Sequence, residues 1–180
     1  MLKVIEFVHD IINKKINKED ICVDMTIGNG HDTLFLCKLS KFVYGFDIQE
    51  KAINNTTNLL NLNNFTNFQL FLKSHEFVDQ LINIKVKCFI YNLGYLPTGN
   101  KSITTNATST IISLKKALEL LDDKGIIAFV VYPGHESGKI EANELEIFVN
   151  SLNQKEYDVI KYQFVNQINN PPYALIIERR

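Results

Sequence analysis

Apolar and polar residues follow two distinct periods along this chain. Near the start, Leu2, Ile5, Val8, Ile12 and Ile16 recur at helical spacing and predict an amphipathic helix over residues 2–16. Short apolar runs of strand character follow at 21–25, 42–48, 68–72, 86–93 and 126–132. Between them, residues 32–39, 49–62, 75–82 and 104–121 carry helical spacing. Strand alternating with helix at this interval predicts βαβ units, hence a mostly parallel sheet with helices on both faces. The nearly unbroken hydrophobicity of 86–93 and 126–132 fits strands covered on both sides. The order then changes. A helix at 139–152 leads to a strand at 157–165, an Asn/Pro-rich turn and a strand at 173–178, and two strands without a long helix between them predict an antiparallel pair.

A chain of 180 residues suits one domain with a sizeable core. Apolar residues make up 46% and charged residues 22%, an ordinary globular balance, so neither disorder nor a fibrous repeat is expected. The formal charge of -1 gives no overall basic field. Lysines nevertheless gather at Lys14, Lys15 and Lys18 and at Lys115 and Lys116, either as a solvated face or as contacts to RNA phosphates. Cys22, Cys37 and Cys88 lack paired spacing and sit in apolar runs, which reads as buried thiols in a reducing compartment. The opening segment mixes charge into its apolar pattern too often for a signal peptide, and no uncharged run reaches the roughly 18 residues of a membrane span. A cytoplasmic protein without a metal site is expected, since no His, Cys, Asp and Glu residues cluster at ligand spacing.

Chemistry concentrates where the strands end. The first strand runs into Asp24-Met25-Thr26-Ile27-Gly28-Asn29-Gly30-His31-Asp32-Thr33, a glycine loop that opens a helix. Glycines let the backbone turn tightly and approach a ligand closely, although a plain turn before a capped helix has the same look. A dinucleotide loop needs a third glycine where Thr33 stands, and Asp24 would repel a pyrophosphate. A carboxylate there suits a cation instead, and S-adenosylmethionine carries both a sulfonium and an ammonium. Asp47 ends the second strand, where an acid accepts hydrogen bonds from ribose hydroxyls, and Gln49 follows it beside the expected adenine position. Past the third strand, Ser74 and His75 either contact the adenine or cap the next helix. All of these lie at carboxyl ends of strands, the ligand-binding edge of open α/β sheets.

The fourth strand ends in Asn92-Leu93-Gly94-Tyr95-Leu96-Pro97, at the place where amino methyltransferases carry a tetrapeptide of Asp, Asn or Ser, two prolines and an aromatic residue. There the polar side chain accepts from the target amine and the ring packs on the substrate. Asn92 and Tyr95 keep those two positions, while Leu93-Gly94 replaces the prolines; the structural alternative is a strand end followed by a turn. The literal tetrapeptide, Asn170-Pro171-Pro172-Tyr173, lies between the last two strands, where it suits the rim of a substrate mouth better than its reacting end. His135 follows the fifth strand and either moves a proton, contacts a phosphate or is structural. Lys101, beside Ser102, either binds an anion at a helix start or belongs to a cap.

Five parallel strands closed by an antiparallel pair resemble the sheet of class I methyltransferases: seven mostly parallel strands, an antiparallel last strand and helices on both faces. The stretches from Asp24 to Thr33, from Asn92 to Pro97, Lys101-Ser102-Ile103-Thr104-Thr105, Tyr132-Pro133-Gly134-His135, Asn166-Gln167 and Asn169 to Pro172 together resemble the YtqB/MnmM-type family, also described as rRNA methylases. Met25 stands where that family usually has Ala, and Thr98-Gly99 where it often has two glycines. The resemblance implies a tRNA methyltransferase that uses S-adenosylmethionine at the wobble uridine of the anticodon, converting 5-aminomethyl-2-thiouridine into its methylaminomethyl form. It also implies cofactor contacts at Asn29, Asp32, Asp47, Gln49, Ser74 and His75. The alternatives are methylation of rRNA or of a small amine, and a Rossmann-like module that binds RNA without turnover. A homodimer would widen the RNA-binding surface.

Overall fold

The computed structural model describes residues 1–94 and 105–180. In chain order the elements are α1 (Val4–Lys15), β1 (Ile21–Asp24), α2 (His31–Leu39), β2 (Phe42–Asp47), α3 (Glu50–Leu62), β3 (Phe68–Leu72), a 3-10 turn (His75–Phe77), α4 (Val78–Leu81), β4 (Val86–Asn92), α5 (Ala107–Leu120), β5 (Leu121–Val131), α6 (Glu136–Asn150), β6 (Tyr157–Tyr162) and β7 (Tyr173–Arg179). The strands form one seven-stranded sheet in the order β3-β2-β1-β4-β5-β7-β6. β1 to β5 pair in parallel, and β7 runs antiparallel to both β5 and β6.

Strand alternation divides the interior into two cores. Ile127, Phe129 and Val131 of β5 face Leu114 and Ala117 of α5 and Leu145 and Val149 of α6. Ile126, Ala128 and Val130 face the opposite core, which Val8 and Ile12 of α1, Leu36 of α2 and Leu60 of α3 complete. This two-sided cover is why β4 and β5 read as continuous apolar runs instead of alternating ones. Cys22, Cys37 and Cys88 are unpaired and buried in the second core, packed as small apolar side chains.

Chain order reverses direction across the sheet between β1 and β4, so the crossovers on either side leave a crevice above the carboxyl ends of those strands. Two sequence expectations shift. The helix expected at 75–82 is a 3-10 turn followed by the single-turn α4, with His75 tied sideways to the carbonyl of Met25, just past β1. β5 begins at Leu121, five residues before its apolar run, and Leu121 pairs with Val86 before an irregularity resets the register. Among the described residues no helix is long and apolar enough to cross a membrane.

Candidate active site

A cleft of about 980 Å³ opens over the ends of β1, β2, β4 and β5, within the size range of small-molecule sites. The glycine loop forms its floor. Gly28 and Gly30 both take positive φ, +55° and +81°, which glycine adopts without steric cost. A Cβ on Gly30 would stand 2.6 Å from Oγ1 of Thr56 on α3, so this glycine is required for close packing of loop on helix. Thr26, Gly28, Asn29 and Asp32 line the cleft.

Asp24, Gly30 and Thr33 lie behind that surface. The Asp24 carboxylate is fully buried; one oxygen accepts from the Thr33 hydroxyl at 2.6 Å and the other from the Thr26 amide at 3.1 Å. These three residues brace the loop from within, because Asp24 is spent on its own backbone turn and on α2. Burial, then the neighbouring Asp32 charge and more weakly Asp47, raise the Asp24 pKa to about 7, against the opposing pull of its two hydrogen bonds. The site therefore holds more negative charge than its burial accommodates comfortably.

Asp47, at the end of β2, bridges two segments. It accepts from the Gly28 amide at 3.0 Å and from the Gln49 amide at 2.9 Å, and burial raises its pKa despite those bonds. Gln49 caps α3 and lines the same wall with Ile48. Ser74 accepts from the Glu76 amide at the start of the 3-10 turn, and it also faces the cleft. Ser74 thus caps the turn and lines the cleft at once.

His75 is nearly buried, with Nδ1 2.9 Å from the Met25 carbonyl. A carbonyl only accepts, so Nδ1 carries the proton and Nε2 presents a lone pair. That Nε2 is buried and has no partner among the described residues. Desolvation lowers the His75 pKa and favours this neutral form.

Asn92 ends β4 with its backbone amide donating to Thr26 Oγ1 at 2.7 Å. Its Nδ2 donates to Oδ2 of Asp32 at 3.1 Å, and Oδ1 of Asp32 meets Nε2 of His9 at 2.7 Å. Because a carboxylate accepts, the amide must present its NH2 to Asp32, which leaves Oδ1 as the acceptor of Asn92. His9, on α1 and stacked on Phe35 at 3.9 Å, was not signalled by any motif. Tyr95 and Lys101 lie outside the described residues. Both flanks of that stretch are held: the Gly94 amide donates to Thr105 Oγ1, and the Thr105 amide donates to the Gly94 carbonyl, each at 3.0 Å. Thr105 and Thr110 hydroxyls in turn donate to Glu141 of α6, at 2.7 and 2.6 Å. Glu141 is buried, and burial raises its pKa. Sequence reading passed over it because α6 contributes it from 31 to 36 residues away.

His135 caps α6, with Nδ1 accepting from the Gly138 amide at 2.9 Å, and it also lines the cleft. The capping bond occupies Nδ1. Asn170, Pro171 and Pro172 form the facing rim, with Asn169 and Asn170 at positive φ. Among the described residues, no group of three or more His, Cys, Asp or Glu side chains is arranged to hold a metal ion.

The sheet order with its antiparallel β7, the glycine loop after β1 and the acid after β2 define a class I methyltransferase. The chain belongs to the "Putative rRNA methylase" family, whose model matches residues 43–178. It is 34% identical over 98% of its length to an Arabidopsis thaliana protein named chloroplastic tRNA (mnm(5)s(2)U34)-methyltransferase, covering 70% of that protein. A Clostridium thermocellum structure described as a "putative rRNA-methylase" superposes with a TM-score of 0.97 at 40% identity, with all of both chains covered. A Streptococcus mutans "putative methyltransferase" in complex with SAH superposes at 0.95 and 37% identity, covering all of this chain and 99% of that one.

Proposed function

We propose that the chain is an S-adenosylmethionine-dependent tRNA methyltransferase that acts on the exocyclic amine of 5-aminomethyl-2-thiouridine at the wobble position. The observation that carries the amine chemistry is the orientation of Asn92. With its NH2 committed to Asp32, its carbonyl oxygen is directed to accept from a donor in the cleft. The named activity of the Arabidopsis relative and the SAH in the Streptococcus mutans relative support this substrate and this methyl donor.

The residues present fit the donor. Asp32 and Asp47 line the cleft and Asp24 lies buried behind them, a set of carboxyl groups that suits a ligand with a sulfonium and an ammonium. Asp47 stands where ribose hydroxyls would donate, and Gln49, Ser74 and His75 surround the place of the adenine. Thr26, Gly28 and Asn29 present backbone and side chain to the amino-acid portion, and Asp24, Gly30 and Thr33 hold that loop in shape.

S-adenosylmethionine supplies an electrophilic methyl group on a sulfonium. The wobble amine enters as an ammonium and must give a proton to solvent before its lone pair can form the new N–C bond while the S–C pair goes to sulfur. Asn92 Oδ1 accepts one N–H and turns the lone pair toward the methyl carbon. Positioning of this kind accounts for much of such a rate enhancement. His135, Lys101 and the Asn170–Pro172 rim contact the anticodon around the target base. The whole chain works as one methyltransferase domain in the cytoplasm, and a second copy would extend the RNA-binding face.

Two tRNA preparations test the reading, one bearing 5-aminomethyl-2-thiouridine and one with unsubstituted 2-thiouridine. Methylation of the first and none of the second is expected. Equal methylation of both places the acceptor elsewhere and rejects the wobble amine.

A further inference from the structure

His9 lies outside the cleft, on α1, yet it completes a chain of hydrogen bonds that ends in it. Nε2 of His9 contacts Oδ1 of Asp32, and Oδ2 of the same carboxylate takes the Nδ2 proton of Asn92. The imidazole lies flat on Phe35, with ring planes 7° apart, so its edge is aimed and held. Its side chain keeps 28% of its exposure while that of Asp32 keeps 8%, which makes His9 the outer end of the chain and Asp32 its buried middle. Facing a carboxylate, Nε2 is a donor, and the Asp32 carboxylate is fixed from two sides.

We infer that His9 is a positioning residue for methyl transfer: it holds Asp32, and through Asp32 it orients and polarises the Asn92 amide. The inference rests on the reading of Asn92 as the acceptor for the target amine. As the N–C bond forms, positive charge develops on that nitrogen. An amide whose NH2 is bonded to a carboxylate presents a more negative Oδ1 than an amide facing water, because hydrogen bonds in series polarise one another. A stronger and stiffer acceptor stabilises the charge that appears in the transition state and matters less to the bound ground state. Without the His9 donor, Asp32 is free to rotate about its own side-chain torsions, and the amide loses both direction and polarisation. Loss of His9 therefore falls on kcat and spares donor binding.

Two variants separate this role from a packing role. His9→Phe keeps the ring on Phe35 and deletes the donor; His9→Gln keeps an N–H near the position of Nε2. With tRNA carrying 5-aminomethyl-2-thiouridine, His9→Phe is expected to lower kcat by about tenfold or more, with KM for S-adenosylmethionine and the thermal midpoint unchanged, and His9→Gln to recover most of the loss. In the full-length protein without substrate, the Asn92 side-chain amide signals in a 15N spectrum are expected to shift and to exchange faster in His9→Phe. Wild-type kcat in His9→Phe, or an unmoved Asn92 signal, overturns the inference. So does a loss in His9→Phe that extends to donor binding and thermal midpoint and that His9→Gln fails to recover. A wild-type enzyme inert on this tRNA defeats the substrate reading instead, and the Asn92 signal then still decides the role of His9.

Discussion

The Gly28 amide donates to Oδ2 of Asp47 across 3.0 Å, tying the glycine loop after β1 to the acid that ends β2. One carboxylate thereby closes the loop and offers its remaining acceptor capacity to the cleft. Asp47→Ala removes both functions. Donor affinity measured by calorimetry should fall by about tenfold or more, as expected for lost hydrogen bonds to a charged group, while Asp47→Asn should retain part of it.

Gly30 tests the fit between loop and helix. Gly30→Ala places a methyl group against Thr56 at a backbone φ of +81° and should cost about 1–3 kcal/mol, read as a lower denaturation midpoint. Thr56→Ala in the same chain should return the steric part of that loss and leave the conformational part, since Oγ1 and Cγ2 are the closest contacts.

Asp24 makes the site sensitive to pH. Its pKa is raised from 3.8 to about 7, with burial first among the causes. For a group whose folded pKa is raised, the stabilising contribution is fully present below the unfolded value and is lost as pH rises through the folded value. Ligand-free protein should therefore lose stability from this group between about pH 4 and pH 7, and Asp24→Asn should flatten that slope. The cationic donor has the opposite linkage: it favours ionised Asp24, so its affinity should rise with pH over the upper part of the same interval. Titration calorimetry at several pH values checks the sign, and equal affinities throughout would remove Asp24 from the electrostatics of binding.

Glu141 anchors the substrate side of the cleft through Thr105 and Thr110. Glu141→Ala leaves the buried Thr110 and the half-buried Thr105 hydroxyls without their acceptor and should destabilise the protein by about 1–3 kcal/mol. Methyl transfer to tRNA should fall more than donor affinity does, because the Gly94–Thr105 pair sits beside Asn92 and away from Asp47 and His75. Parallel measurements of donor Kd and of single-turnover rate separate the two effects.

Local features were legible in the sequence, and features made by long-range packing were not. The loop around Gly28, the acid at Asp47 and the strand end at Asn92 each announce themselves within a few residues, because a turn and a strand terminus are local events. From its place in the motif Asp24 looks like a direct ligand contact; only three dimensions reveal that its carboxylate is fully buried behind the loop, with Thr33 and Thr26 donating to its two oxygens. His9 and Glu141 reach the site from helices whose own sequence shows only amphipathic spacing, with partners 23 residues away for one and more than 30 for the other. The polar run Asp122-Asp123-Lys124 obscures the start of β5, where the buried Leu121 pairs with Val86 of β4 and the register resumes at Ile126.

Bulk tRNA from a strain lacking this gene would be incubated with the protein and methyl-labelled S-adenosylmethionine, digested, and resolved by nucleoside mass analysis. A gain of one methyl on 5-aminomethyl-2-thiouridine, abolished by Asn92→Ala, is the expected result. Label appearing on another nucleoside, or no transfer to tRNA while the donor still binds, would contradict the account.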